Sequence, residues 1–186
     1  MDIAHKKRHE NIAEYILYLW QLEDFMRALQ FSPEAIYGQL VAPRKDLTEQ
    51  QKADFLVWYM DLVNLLQEEG KQEQGHLNHT LHLINDLHDL HLQLLKLPIG
   101  EHYRGVVARL TPELPRLRAL VGDKPMSDTE LCFRALYAAM LYHIKGEKKA
   151  AIDDVLQCVS PVIAELAAMH GKVERGEIDL FKDEDE

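Results

Sequence analysis

The sequence predicts an all-α protein, a single-domain bundle of about seven helices. Three observations predict it. Apolar side chains recur at steps of three and four along most of the chain, and helix-start signals precede several of these runs. No sustained period-two run of β-branched residues occurs, and no repeat of fixed period that would suggest a solenoid.

Ile12, Tyr15, Leu19, Leu22, Met26 and Leu29 step along one face of a first helix over about residues 5–30. Ser32-Pro33-Glu34 then reads as an N-cap, a proline at the first helical position and an acid in the first turn, opening a short helix that stops before Pro43. Thr48 to Gln51 has capping-box spacing and opens a helix with the core stripe Phe55, Tyr59, Leu62 and Leu66, closed by Gly70. The polar linker Gly70 to Gly75 is short, so the next helix is expected to turn back antiparallel.

That next helix, over residues 76–97, is the most informative. One stripe is Leu77, Leu81, Ile84, His88, His91 and Leu95; a second is Leu83, Leu87, Leu90 and Leu94. At ~100° per residue the two stripes lie roughly 100° apart. A helix apolar on two sides must meet more than one neighbour, which makes it the central, two-sided helix of the bundle.

Residues 98–121 are less regular, weakly helical from Gly100 to Leu110 and interrupted at Pro112 and Pro115, neither of which can donate a backbone hydrogen bond. Ser127 to Glu130 is a second capping-box pattern, followed by Phe133, Tyr137, Met140 and Ile144 on one side of a helix ending at Lys145-Gly146. The last helix carries Ile152, Leu156, Val159, Ile163, Leu166 and His170, with a kink expected at Pro161. The helical domain is expected over residues 1–175 and an acidic tail over 176–186, where six acidic residues face Lys182 alone.

The formal charge of −10 argues against nucleic acid and anionic membranes as partners, because both demand a basic face. The one basic cluster, Lys6-Lys7-Arg8, reads as a solvated first turn. Two cysteines, Cys132 and Cys158, fall within helical patterns and read as free thiols of a reducing compartment. Neither has an adjacent cation to activate it. No leader-like segment and no apolar run of roughly 20 residues appears, so the cytoplasm is the expected location.

Ten histidines are the compositional oddity, and five lie between His76 and His91. His79, His82, Asp86 and Asp89 share a helix face and are the candidate ligands for a divalent metal; a solvated polar face also explains them, without any metal. No other cofactor is expected. The Glu-x-x-His pattern of di-iron bundles occurs once, at Glu73 to His76, across Gly75. His5 and His9 have chelating spacing but sit among three cations, and His170 suits the negative end of its helix. His88 and His91 occupy core positions. They are either hydrogen-bonded core histidines or a ligand-gripping pair in an internal pocket.

Tyr15 and Trp20 are the further ligand-binding candidates. They belong to an aromatic group with Tyr18, Trp58 and Tyr59 that suits core packing, a pocket or an interface. Tyr15 and Trp20 lie about 140° apart on their helix, so part of this group serves a second surface. Adjacent carboxylates, Glu23-Asp24 and Glu68-Glu69, are expected on the outside. No nucleophile elbow, phosphate-binding glycine loop or zinc-type cysteine pair occurs.

The strings Lys7-Arg8-x-Glu10-Asn11-Ile12-Ala13-Glu14-Tyr15 and Trp20-Gln21-x-Glu23-Asp24, with Gly75-His76-Leu77 and Asp89-Leu90-His91-Leu92, carry a resemblance. Along nearly its whole length the chain resembles a family of bacterial proteins of about this length classed as a domain of unknown function. The resemblance implies an intracellular, helical bacterial protein and supplies no catalytic residues.

No motif specifies a reaction. The expected function is a non-enzymatic cytoplasmic domain acting through protein contacts, above all as a homodimer. The alternative is a helical-bundle small-molecule binder, or a metal-dependent enzyme using the histidines of residues 76–97.

Overall fold

The computed structural model describes residues 7–122, 124–146 and 150–180. Every regular element among them is helical, and no strand occurs in the described residues. After a helical turn at residues 7–10 come α1 (Ile12–Ala28), α2 (Pro33–Ile36), a π-helical segment (Tyr37–Val41), α3 (Glu49–Glu68) and α4 (Asn78–Leu94). They are followed by α5 (Glu101–Leu110), α6 (Leu114–Val121), α7 (Asp128–Ile144) and α8 (Ala150–Glu174), with short 3-10 turns at Pro98–Gly100 and Thr111–Glu113. The all-α reading holds, with eight α-helices among the described residues where about seven were expected.

Two compact units are built from these elements. The first takes in Glu14–Leu81 and the second runs from His82 onward and includes His9–Ala13.

From the helical turn at residues 7–10 through the first unit, helix starts follow the side chains that cap them. The helix expected over residues 5–30 is interrupted at Asn11, whose Oδ1 accepts from the Ala13 amide at 3.0 Å and so begins a new helix. Helix α1 ends where Gln30 and Phe31 enter the left-handed region, φ 52° and 58°, and the Phe31 amide reaches back to Met26 O at 3.0 Å. The Ser32 hydroxyl caps α2 by accepting from the Ala35 amide, and both halves of the Thr48–Gln51 capping box are formed at α3. The unit's core joins Leu19, Leu22 and Met26 of α1 to Ile36, Val41, Tyr59, Leu62, Val63, Leu66 and Leu77.

The second unit contains α4 from His82 and α5 to α8, with α7 and α5 both packed on α8, and α6 on α7. Ile84, the pivot of the predicted two-sided helix, is 0% exposed, and Leu87, Leu90, His91 and Leu94 are buried with it. Both predicted stripes are therefore turned inward along α4. Pro112 lies in the 3-10 turn and Pro115 at the second position of α6, where no amide donor is required. Pro161 lies inside α8. At α7 only half of the expected capping box forms. The Ser127 hydroxyl accepts from the Glu130 amide, while the Glu130 carboxylate turns to Arg134 at 2.8 Å. Of the predicted α7 stripe, Phe133 and Tyr137 are buried, Met140 is half-buried, and Ile144 is 68% exposed at the last turn. The side chain of Ile152 and residues 181–186 of the acidic tail lie outside the described part.

The turn from α4 to α5 is tight. The Arg104 guanidinium donates to Leu94 O at 3.2 Å and Leu97 O at 2.6 Å, satisfying carbonyls that the end of α4 leaves open. Gly100 is buried against that same end, and a β-carbon built on it would lie 1.8 Å from the Leu94 carbonyl oxygen. The obstruction is backbone and cannot swing aside. Gly100→Ala is expected to lower the unfolding free energy by about 3 kcal/mol, the upper part of the overpacking range. Urea denaturation followed by circular dichroism checks it; an unchanged midpoint contradicts this account of the turn.

Candidate functional site

Polar side chains gather in two places inside the molecule, one in each unit. In the first unit the cluster begins with Glu23 on α1. The residue follows Leu19 by four positions and precedes Met26 by three, so the helix carries it onto the core face. It is 1% exposed, a correction to the surface position expected from the Glu23-Asp24 pair. His76 Nδ1 lies 2.7 Å from Glu23 Oε2, the imidazole donating to the carboxylate, and the Leu77 amide donates to Glu23 Oε1 at 3.3 Å. Above the imidazole lies Trp20, 0% exposed, its ring stacked on His76 with centroids 3.9 Å apart and planes 7° from parallel. The indole N–H donates to Thr80 Oγ1 at 3.0 Å, and that hydroxyl donates to Leu77 O at 2.8 Å.

Next on α1, Asp24 and Arg27 pair at 2.6 Å, and the guanidinium also donates to the carbonyls of Lys71, at 3.0 Å, and Gly75. Gly75 adopts φ +89° there, a conformation that L side chains rarely enter. The segment between α3 and α4 is thus held by four hydrogen bonds with Glu23 and Arg27 of α1.

The second cluster lies in the other unit. His91 is buried, and its Nδ1 is 2.7 Å from the Tyr103 hydroxyl; His88, half-buried, places Nδ1 3.1 Å from Thr129 Oγ1. The two rings stack with centroids 5.6 Å apart at 18°. Beside His91 is a cavity of about 10 Å³, bordered by Tyr103, Asp128, Thr129 and Cys132. That is the lower bound for a single water molecule, far below the volume a small-molecule ligand occupies. Burial, and then the neighbouring His88, hold the His91 pKa below the usual histidine value, while Asp128 acts the other way. Burial likewise raises the Tyr103 phenol and pushes the Cys132 thiol up to about 12, leaving that sulfur protonated and unreactive.

The four residues considered for a metal are strung out. His79, His82, Asp86 and Asp89 are all exposed along α4. Ten positions at the helical rise span ~15 Å, whereas one ion needs all its ligands within about 2 Å of itself. Among the described residues no group of three or more His, Cys, Asp and Glu side chains is placed to hold a metal ion. His79 Nε2 instead lies 3.2 Å from the Tyr15 hydroxyl, its ring edge-on to the tyrosine at 6.0 Å. Tyr15 and Trp20 belong to the first unit and the His88–His91 pair to the second. Of the other histidines, His9 is exposed, His170 is half-buried and His5 lies outside the described residues.

A third feature is an aromatic face on the first unit. Tyr18 and Tyr59 share a hydrogen bond between their hydroxyls, and burial raises both phenol pKa values. Trp58 meets Tyr59 at 5.1 Å and Phe55 meets it at 6.4 Å. The Arg44 guanidinium stands 5.7 Å over the Phe55 ring, oriented by Asp46 at 2.9 and 2.7 Å. Tyr18, Phe31, Tyr37, Phe55 and Trp58 are all only partly buried against the core.

Fold and site together define an all-α protein with a hydrogen-bonded polar cluster inside each unit and a partly buried aromatic group on the first unit. Within that class, the chain belongs to the family described as a domain of unknown function, DUF4924, whose model matches residues 1–177. No curated protein and no solved structure gives a significant match to the chain.

Glu23 and His76 are both buried, so deleting one strands the other. Glu23→Ala is expected to cost about 3–5 kcal/mol of stability. A double-mutant cycle with His76→Ala is expected to give a coupling of about 1–3 kcal/mol. A coupling near zero in chemical denaturation means that the two side chains contribute independently, against the geometry described.

Proposed function

We propose that this chain is a non-enzymatic cytoplasmic protein of bacteria that works through protein contacts, pairing with a second copy of itself through the aromatic face of its first unit. One observation carries the reading: Tyr18, Phe55 and Trp58 gather around Tyr59 and stay only partly buried, with Arg44 over Phe55. Tyr, Trp and Arg are the residues in which binding energy concentrates at protein interfaces. A ring already fixed by its neighbours loses little conformational freedom when a partner covers it. Two-fold pairing is the commonest form of self-association, which favours a second copy as the occupant.

The interior offers less. The cavity beside His91 has room for one water at most, and the imidazoles that suggested a ligand site face Tyr103 and Thr129 instead. The net charge of −10 weighs against nucleic acid and anionic membrane as partners, and no described helix is long and apolar enough to cross a membrane. The reading requires no cofactor.

Sedimentation velocity across a wide concentration range tests it. The unaltered chain is expected to show a concentration-dependent dimer, and Trp58→Ala or Arg44→Ala to weaken dimerisation by about 30-fold, the effect of losing one strong interface contact of about 2 kcal/mol. A strict monomer at all concentrations rejects the proposal. So does a dimer that both substitutions leave intact while circular dichroism shows the fold retained.

A further inference from the structure

In the second unit, the Asp128 carboxylate stands between two cationic claims. On one side Arg118 of α6 holds it, and the same guanidinium donates to Met126 O at 3.3 Å. On the other, Asp128 borders the one-water cavity that His91 also borders. Asp128 is the first residue of α7, so what it binds helps decide how α6 is tied to the start of that helix.

The groups facing His91 are few. His88 lies on its own helix, 5.6 Å away ring to ring. Tyr103 faces it from α5, itself under the influence of Glu165 of α8, and Asp128 and Cys132 face it from α7. The remaining wall from α8 is apolar, formed by Val162, Ile163 and Leu166. A proton arriving at this imidazole pair thus meets one carboxylate close by, Asp128, and Arg118 already holds it.

We propose that the His88–His91 pair, Asp128 and Arg118 form an acid-responsive latch, in which protonation of the pair draws Asp128 away from Arg118 and loosens α6 from the start of α7. Arg118 holds the carboxylate through Oδ1, and a proton arriving at His91 competes for the same group. Two imidazoles at this separation resist carrying two charges, so a proton on His91 calls for one counterion. That counterion is the carboxylate that now closes the α6–α7 tie. Thr129, next in sequence to Asp128, accepts or donates at His88 and transmits the shift directly to α7.

The sign follows from the lowered folded-state pKa of His91. The unfolded chain binds more protons just below the ordinary value of 6.5, so stability is complete above that pH and falls as pH drops from there to the folded midpoint. This device is independent of the aromatic face and of self-association.

The test is histidine imidazole NMR on the full chain from about pH 8 to about pH 5, with thermal melting at each pH. In the unaltered chain His91 is expected to titrate below 6.5, the melting temperature to fall in step, and amide exchange at Met126 and Asp128 to rise with it. Arg118→Gln frees the carboxylate, so the His91 midpoint is expected to move up by about half a unit or more and the loss of stability to shrink. Asp128→Asn moves the midpoint down. His91→Gln flattens the pH dependence of melting; should that variant fail to fold, the Arg118→Gln midpoint decides. His91 titrating at or above 6.5, or a midpoint that Arg118→Gln leaves unmoved, overturns the latch.

Discussion

A buried carboxylate is the constraint on which the first unit turns. Removing Glu23 from water costs several kcal/mol unless both of its oxygens find donors. They do: His76 serves one and the Leu77 amide the other. The Leu77 amide stands at the entry to α4, where a helix leaves its N–H groups without internal partners. The neighbouring Asn78 amide is met in the same manner by Glu69, just past the end of α3, at 2.7 Å. Two acids from two different helices therefore satisfy the first amides of a third, and each also favours the positive end of that helix. Trp20 completes the arrangement by covering the imidazole and securing Thr80, whose backbone amide donates to Leu77 O. The position of α4 is specified by polar atoms, with apolar packing filling in around them.

Specification by matched polar pairs recurs in the second unit with different chemistry. Imidazole meets hydroxyl at His91–Tyr103 and His88–Thr129, neutral partners that need no counterion while the rings stay uncharged. The two clusters divide the histidines by role. His76 is tied to a carboxylate and anchors the start of a helix, whereas His88 and His91 are tied to hydroxyls and join one helix to its neighbours. His79, further out, meets the hydroxyl of Tyr15.

Helix positions were legible because apolar periodicity and capping residues are local properties. Ser32, Thr48 and Ser127 each cap the helix they were expected to open, and both stripes of α4 face inward. Boundaries were less so. At Asn11 a side chain competes with the helix for an amide, and the periodic pattern runs through without a sign of it. The candidate site was half legible. His88 and His91 fall on a core stripe and do take core partners, but their partners Tyr103 and Thr129 are distant in sequence, and no spacing rule connects them. Glu23 was hidden by its neighbour, since Glu23-Asp24 reads as surface charge until the register of Leu19 and Met26 is counted through it. The metal quartet was legible only as a pattern along one helix face. A shared helix face looked like convergence, although axial rise separates its members by more than one ion can bridge.

Both tryptophans of the chain, Trp20 and Trp58, belong to the first unit. One is sealed under an imidazole and the other is partly buried in the aromatic group. Intrinsic indole emission therefore arises from the first unit alone. A melting curve read by fluorescence carries its labels in that unit, and its separation from a curve read by helical ellipticity measures how cooperatively the chain unfolds.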